Sequence, residues 1–213
     1  MLTYVHSRPG FPLTAMHTPS YISPDDAPAK RIILTAALDL FVRNGLCETT
    51  VRDIAKVSGY SNPALFKHFP TKDALALFLF ERCYTDMHRL TVDAIASGKT
   101  FAARQRAVLA AYMAALERDQ CAFLFAQDNL RHFWPRVSPA VRKRSVLGEV
   151  KKMLQDGRDH GDVTDAVELE LLTIAWTGTV QQFTRARYFG GFKQPARQLV
   201  PALDSLLTRL VRV

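Results

Sequence analysis

The chain is poor in cysteine: Cys47, Cys83 and Cys121 are the only three in 213 residues. They are scattered, odd in number and form no CxxC pair. Neither a disulfide framework nor a zinc site is expected, and reduced thiols are the plain reading. Apolar runs are short and interrupted, too short to span a bilayer. No basic stretch precedes an apolar segment near the start, so no signal peptide is expected and a cytoplasmic protein is. No segment alternates apolar and polar residues over the length of a strand, and no internal repeat appears. The fingerprints of common catalytic sites are missing as well: there is no GxSxG, HExxH, P-loop or dinucleotide motif. Asp128/His132 and Asp156/His160 stand four residues apart, but such pairs are commonly exposed helix-surface contacts. Cys121, among aromatics, reads as a small hydrophobe rather than a nucleophile. No catalytic residue, no metal and no cofactor is therefore expected.

What is present is an ordinary globular composition, 48% hydrophobic and 23% charged, long enough for one or two domains with a sizeable core. The net charge of +8 favours a polyanionic partner. Its distribution tempers that inference. Residues 1–28 carry one Arg and two Asp, residues 29–99 ten bases and seven acids, and residues 100–213 seventeen bases and eleven acids. The excess is largest in the last segment, so charge alone does not locate a binding surface.

The stretch Thr50–Lys72, TVRDIAKVSGYSNPALFKHFPTK, does. Thr50 followed three residues later by Asp53 is a capping-box pattern. Val51, Ile54, Ala55 and Ser58 share one helical face, and Gly59 suits a left-handed C-cap. Ser61 or Asn62 can cap a second short helix with Pro63 in its first turn. Leu65, Phe66 and Phe69 are expected on its buried side. Pro70 stops it, and Thr71 caps a longer helix with Asp73 in its first turn. Upstream, Ile33, Ala37, Leu40, Phe41 and Asn44 form one face of a preceding helix ended by Gly45. Two short helices joined by a tight turn, inside a three-helix unit, outline a helix-turn-helix, which places its second helix in the DNA major groove.

Residues 30–80 resemble the N-terminal domain of the TetR family of bacterial repressors. The residues that carry the resemblance are Ala36-Ala37, Leu40-Phe41, Gly45, Thr49 to Ala55, Gly59, Ser61, Leu65-Phe66, His68-Phe69 and Lys72 to Leu75. Three positions depart from the family pattern. Phe66 stands where tyrosine is usual, Ser58 where alanine is usual, and Tyr60 replaces an aliphatic residue in the turn, either packed inward or facing DNA.

The candidate DNA-binding residues are Thr50, Arg52, Ser61, Asn62, Pro63, Ala64, Lys67, His68 and Lys72. Asn pairs with adenine and Lys with guanine, while Pro63 and Ala64 offer small apolar surfaces to a thymine methyl. Thr50, Arg52, Ser61 and Lys72 suit phosphate contacts. The resemblance implies DNA contact at Thr50, along the second short helix and at Lys72.

The remainder reads as helical: Thr71 to about Ala96, Phe101–Arg118, about Cys121–Phe133, Pro139 to beyond Leu154, Asp165 to about Tyr188, and a last helix from near Pro195 with Leu199, Leu203, Leu206 and Leu210 at coiled-coil-like spacing. The expected fold is all-α with about nine helices. Residues 1–28, rich in proline, are expected to be a disordered tail, with Met16 an alternative start. Residues 29–75 are the expected helix-turn-helix domain, and 76–213 a helical effector-binding and dimerisation domain.

In that second domain Tyr112, Met113, Phe123, Phe125, Phe133, Trp134, Met153, Trp176 and Phe183 are aromatic or thioether side chains that serve equally as core or as a pocket lining. As ligand-binding candidates we take Tyr112, Met113, Phe123, Gln127, Phe133, Trp134, Met153, Trp176 and Phe183. Asn129, Gln181, Gln182, Arg131 and Arg185 are further polar groups, and an arginine there would suit an anionic amphipath. The last two helices, with Thr177-Gly178-Thr179 permitting close approach, suit a homodimer interface.

The resemblance implies a dimeric, effector-released repressor of a palindromic operator. The expected partners are double-stranded operator DNA, an apolar or amphipathic effector and a second copy of the chain, with no membrane. The alternative is a helical ligand-binding protein or enzyme whose N-terminal unit no longer reads DNA.

Overall fold

Side-chain caps set the boundaries of the first helices in the computed structural model, which describes residues 19–212. Helices α1 (Pro28–Asn44), α2 (Val51–Ser58) and α3 (Asn62–His68) form the first unit. Thr50 and Asp53 complete the expected capping box at the start of α2. Gly59 comes after it at φ 74°, a left-handed conformation that costs glycine nothing. The Ser61 hydroxyl accepts from the Ala64 amide at 3.4 Å and opens α3. Ile33, Leu34, Ala37, Phe41, Ile54, Leu65 and Phe69 are buried between the three helices and the second half of the chain.

Thr71 caps α4 (Lys72–Ser97), the long helix that leads into the second half. Beyond it lie α5 (Phe101–Arg118), α6 (Gln120–Asp128), α7 (Leu130–Phe133), α8 (Pro139–Arg142), α9 (Val146–Asp159), α10 (Leu169–Tyr188) and α11 (Val200–Val211). Every element among the described residues is helical, including 3-10 turns at Trp134–Arg136 and Ala196–Leu199. Setting aside the single turns α7 and α8, nine of the eleven α-helices among the described residues remain, as expected. Helix α4 packs on α5, α6 and α9. Gly157 lets α9 ride close on α5, since a Cβ there would lie 2.7 Å from the Phe101 ring.

Several boundaries differ from those expected. Asn129 divides the expected Cys121–Phe133 helix into α6 and α7, its side chain donating back to the Phe125 carbonyl at 3.0 Å. The Pro139 helix stops after one turn, and Ser145 caps a new start at α9 through the Gly148 amide. Helix α10 begins at Leu169 rather than Asp165, because Thr164 is occupied elsewhere, its amide donating to the Val211 carbonyl at 2.8 Å. The last helix begins at Val200, after the 3-10 turn.

The expected disordered tail is corrected over its last part. Residues 1–18, with Pro9, Pro12 and Met16, lie outside the described residues. From Pro19 onward the segment straps onto α4 instead. Tyr21 and Ile22 are buried. The Arg82 guanidinium donates to the Tyr21 carbonyl at 3.0 Å and forks onto both oxygens of Asp26. Lys30 joins the same carboxylate at 3.0 Å and, with Arg82, lies 4.3 Å from the Phe78 ring. Burial alone would raise the Asp26 carboxyl, but Arg82, the Ser23 amide and Lys30 outweigh it and hold it well below the usual carboxylate range. A lowered folded-state value makes the contribution full above the ordinary value of 3.8 and lost as the pH falls below it. Asp26→Ala is expected to cost about 3 kcal/mol at pH 7. Urea denaturation checks this, and the difference between variant and parent should shrink in acid below pH about 4.

Candidate functional site

The three-helix unit presents α3 and the N-terminus of α2 on one outer surface. Thr50, Arg52, Ser61, Pro63 and Lys67 are exposed there, with Asn62, Ala64 and His68 half-buried beside them. The Thr50 hydroxyl donates to Asp53 at 2.6 Å and accepts from its amide at 3.2 Å. Those hydrogen bonds hold the exposed Asp53 carboxyl below its usual range. Lys67 and Arg52 extend as solvated cations, the form suited to phosphate or base-edge contact.

Two residues sit differently from their expected places. Phe66 is not on the buried side: half of it, 49%, is exposed, and Leu65 and Phe69 alone supply the inner face. A seven-residue helix has room for one apolar stripe, and Phe66 falls next to Lys67 on the outer side. Val57 of α2 is likewise exposed. Such positions are found in sequence by testing whether each aromatic of a short helix can share a single face.

Lys72 is the second. Its ammonium is turned inward and donates to the carbonyls of Leu46 at 2.7 Å, Thr49 at 2.7 Å and Cys47 at 3.3 Å. These acceptors lie in the turn between α1 and α2, where helix ends leave carbonyls unpaired. The Lys72 side chain fastens α4 to the entry of the reading unit. The neighbouring Asp73 faces the other way and takes both guanidinium nitrogens of Arg136 from the second half of the chain. With His132 also near, these charges hold the Asp73 carboxyl below its ordinary range.

The nine effector candidates are not gathered around a common opening. Met113, Phe133, Met153 and Trp176 are essentially inaccessible, and Tyr112 and Phe123 are buried edge-to-face at 5.2 Å. The Tyr112 hydroxyl lies 2.5 Å from Thr91, and burial pushes it up to about 12. Trp134 is half-buried against Tyr84, at 5.1 Å. Gln127 accepts a hydrogen bond from Thr184 at 2.8 Å. The Trp176 indole donates to Gln105, whose amide donates in turn to Asp204 and Thr208, each at 3.0 Å. Aromatic spacing suggests a lining; the side chains form packed core and a buried polar key instead.

Phe183, one of the nine, borders an open groove. It lies between α10 and α11, holds about 650 Å³, and is walled by Gly178, Phe192, Leu203 and Leu206. Leu171 and Ile174 continue the apolar surface along α10 at 59% and 60% exposure. Leu206 and Leu210 face outward on α11 as well, whereas Leu203 and Leu207 face the core.

The groups considered for catalysis are used elsewhere. Asp128 pairs with Arg185 rather than His132. The His160 ring sits 2.7 Å from the Asp156 carbonyl. Burial raises the Cys121 thiol to about 12, the opposite of an activated nucleophile. Among the described residues, no helix is long and apolar enough to cross a membrane.

Lys72→Ala is expected to destabilise the fold by about 1.5–3 kcal/mol, the range for hydrogen bonds from a charged group. Lys67→Ala should leave stability within about 0.5 kcal/mol. Paired urea melts separate the two.

Known proteins share this geometry. Residues 33–78 match the family of bacterial regulatory proteins of the tetR type. The chain is 29% identical over 100 residues to the HTH-type transcriptional repressor KstR2 of Rhodococcus jostii, covering 47% of this chain and 49% of that protein. The alignment thus spans about half the length of that curated relative. In fold, the ketosteroid transcriptional regulator KstR2 of Mycobacterium tuberculosis superposes with a TM-score of 0.76 at 19% identity, over 89% of this chain and 97% of that one. The transcriptional regulator FadR of Bacillus subtilis, solved in complex with stearoyl-CoA, superposes at 0.65 with 16% identity, over 85% of this chain and 98% of that one. A capped α2, a glycine turn, an outward α3 and the start of the long α4 are the features of residues 33–78 that match the tetR family of bacterial regulatory proteins.

Proposed function

We propose that the protein is a DNA-binding transcriptional regulator, a repressor that holds a palindromic operator as a homodimer in the cytoplasm and is released by a small apolar or amphipathic effector. The observation that carries the proposal is the surface of α2 and α3, where Arg52, Ser61, Pro63 and Lys67 are exposed around an intact capping box. Helix α3 enters the major groove, with Asn62, Ala64 and His68 toward base edges and Thr50 toward phosphate. Lys72 acts through the turn it fastens, its ammonium held by the Leu46 and Thr49 carbonyls.

Dimerisation through α10 and α11 is supported by the exposed apolar side chains Leu171 and Ile174 of α10 and Leu206 of α11. A two-fold axis there sets the two reading helices one DNA turn apart, which requires a palindrome. The effector reading is supported by the similar folds of a ketosteroid regulator and of a regulator solved with stearoyl-CoA. Release requires the effector to prefer the non-DNA state by the factor it weakens DNA binding.

Gel shift of the DNA flanking its own gene tests the core of this reading. Salt-dependent, sequence-selective binding is expected, and Lys67→Ala should lower the salt slope by about one unit. Binding that ignores sequence at every moderate salt concentration would leave the alternative, a helical ligand-binding protein. Ile174→Glu is expected to convert a dimer to monomers in sedimentation and to abolish operator binding while the helical content is kept. An unchanged dimer would place the interface elsewhere.

A further inference from the structure

The room missing among the packed effector candidates lies at the junction of the two halves. A cleft of about 460 Å³ opens between the C-terminal end of α1, helix α6 and the end of α10. That volume is in the range of sites for drug-sized molecules, and such sites favour domain junctions. Leu46 and Phe189 supply the accessible apolar wall, and behind them Phe41 and Phe125, buried and stacked at 5.8 Å, make a rigid backing. The charged lining is Arg43, Arg185 and Asp128, an excess of one positive charge.

We propose that this cleft is a small-molecule site for an aromatic carboxylate, with the ring against Leu46 and Phe189 and the carboxylate on Arg185. The inference rests on the effector-response reading above and moves the effector from the core of the second domain to the junction. The Arg185–Asp128 pair is about half exposed on both sides, at 44% and 45%. A pair so well solvated is held weakly, so an incoming carboxylate displaces Asp128 at little cost. Arg43 is engaged by Asp39 at 2.8 Å and adds field without needing to move. An apolar body suits the Leu46/Phe189 wall, and a cationic ligand would face two guanidiniums.

The position gives occupancy a direct route to the reading unit. Leu46 lines the cleft, and its carbonyl is one of the three that hold the Lys72 ammonium. Asn129, also in the lining, divides α6 from α7, just upstream of the Arg136 that grips Asp73. A molecule wedged in the cleft therefore presses on both fastenings of the first turn of α4. A ligand with different affinity for the DNA-bound and free arrangements shifts the balance between them.

Isothermal titration of the full chain with 1-naphthoate, alone and with operator DNA bound, tests this. One site per chain is expected. Arg185→Gln and Asn44→Trp, the second filling the exposed rim, should each weaken naphthoate at least fivefold while the variants' melting temperatures stay at the parent value. DNA should weaken naphthoate by the same factor that naphthoate weakens DNA. Naphthoate that fails to bind at millimolar concentration, or binds both variants as tightly as the parent, overturns the site. DNA binding that is indifferent to bound naphthoate also overturns it as an effector site. Arg185-dependent naphthoate binding in a protein that binds no DNA upholds the cleft and sinks the regulatory reading instead.

Discussion

Lys72 and Asp73 are neighbours in sequence and hold opposite halves of the molecule. The ammonium of one closes the carbonyls at the α1–α2 turn, and the carboxylate of the other takes a guanidinium from beyond α7. A helix advances about 100° per residue, so adjacent side chains in a first turn point to different surroundings. Helix α4 is continuous over 26 residues, and any tilt of its body is felt first where these two contacts are made. Two polar contacts at one helix end thus add to the packing of α1 on α4 and α6 in setting how the first unit sits against the rest of the chain. The apolar packing around them supplies most of the stability. The charges supply direction.

The N-terminal strap adds a third restraint on the same helix. Arg82 lies near three turns along α4 from its start, and its guanidinium closes the strap through Asp26 and the Tyr21 carbonyl. Glu81, one residue earlier, accepts from the Ser138 amide on the other side. Tyr84 receives the Val146 amide at 3.1 Å just beyond. The long helix is therefore gripped along its length by polar groups from segments before it and after it.

The features legible in the sequence are local. The capping box at Thr50, the left-handed Gly59 and the caps at Ser61 and Thr71 are decided by residues within four positions of one another. They are legible because helix termini leave the same unpaired groups in every protein. Phe66 is misplaced by periodicity because a pattern of two turns cannot say which of three apolar residues must face out. Residues 19–28 read as tail because proline content describes the unfolded preference of a segment, while Tyr21 and Arg82 stand 61 positions apart. The nine effector candidates come from composition and spacing, which are the same for a packed core and a lined pocket. Lys72 reads as a phosphate contact from its place in the motif. Its three carbonyl partners lie more than twenty residues upstream, where no short pattern reaches.

The buried key of Gln105 bears on how two copies would meet. Its amide is inaccessible and is shared among Trp176 of α10 and Asp204 and Thr208 of α11, while Arg106 binds the same Asp204 from outside at 2.9 Å. Helix α5 thus fixes the axial register of both outer helices from within a single subunit. Sliding either helix by one turn would strand an amide, an indole and a carboxylate together, a penalty far larger than any side-chain rearrangement on the outer face. The grooved surface of α10 and α11 is accordingly finished before a partner arrives. Assembly through it would be the docking of preformed faces rather than folding upon association, so a separated subunit would keep its helical fold while pairing adds stability that grows with protomer concentration.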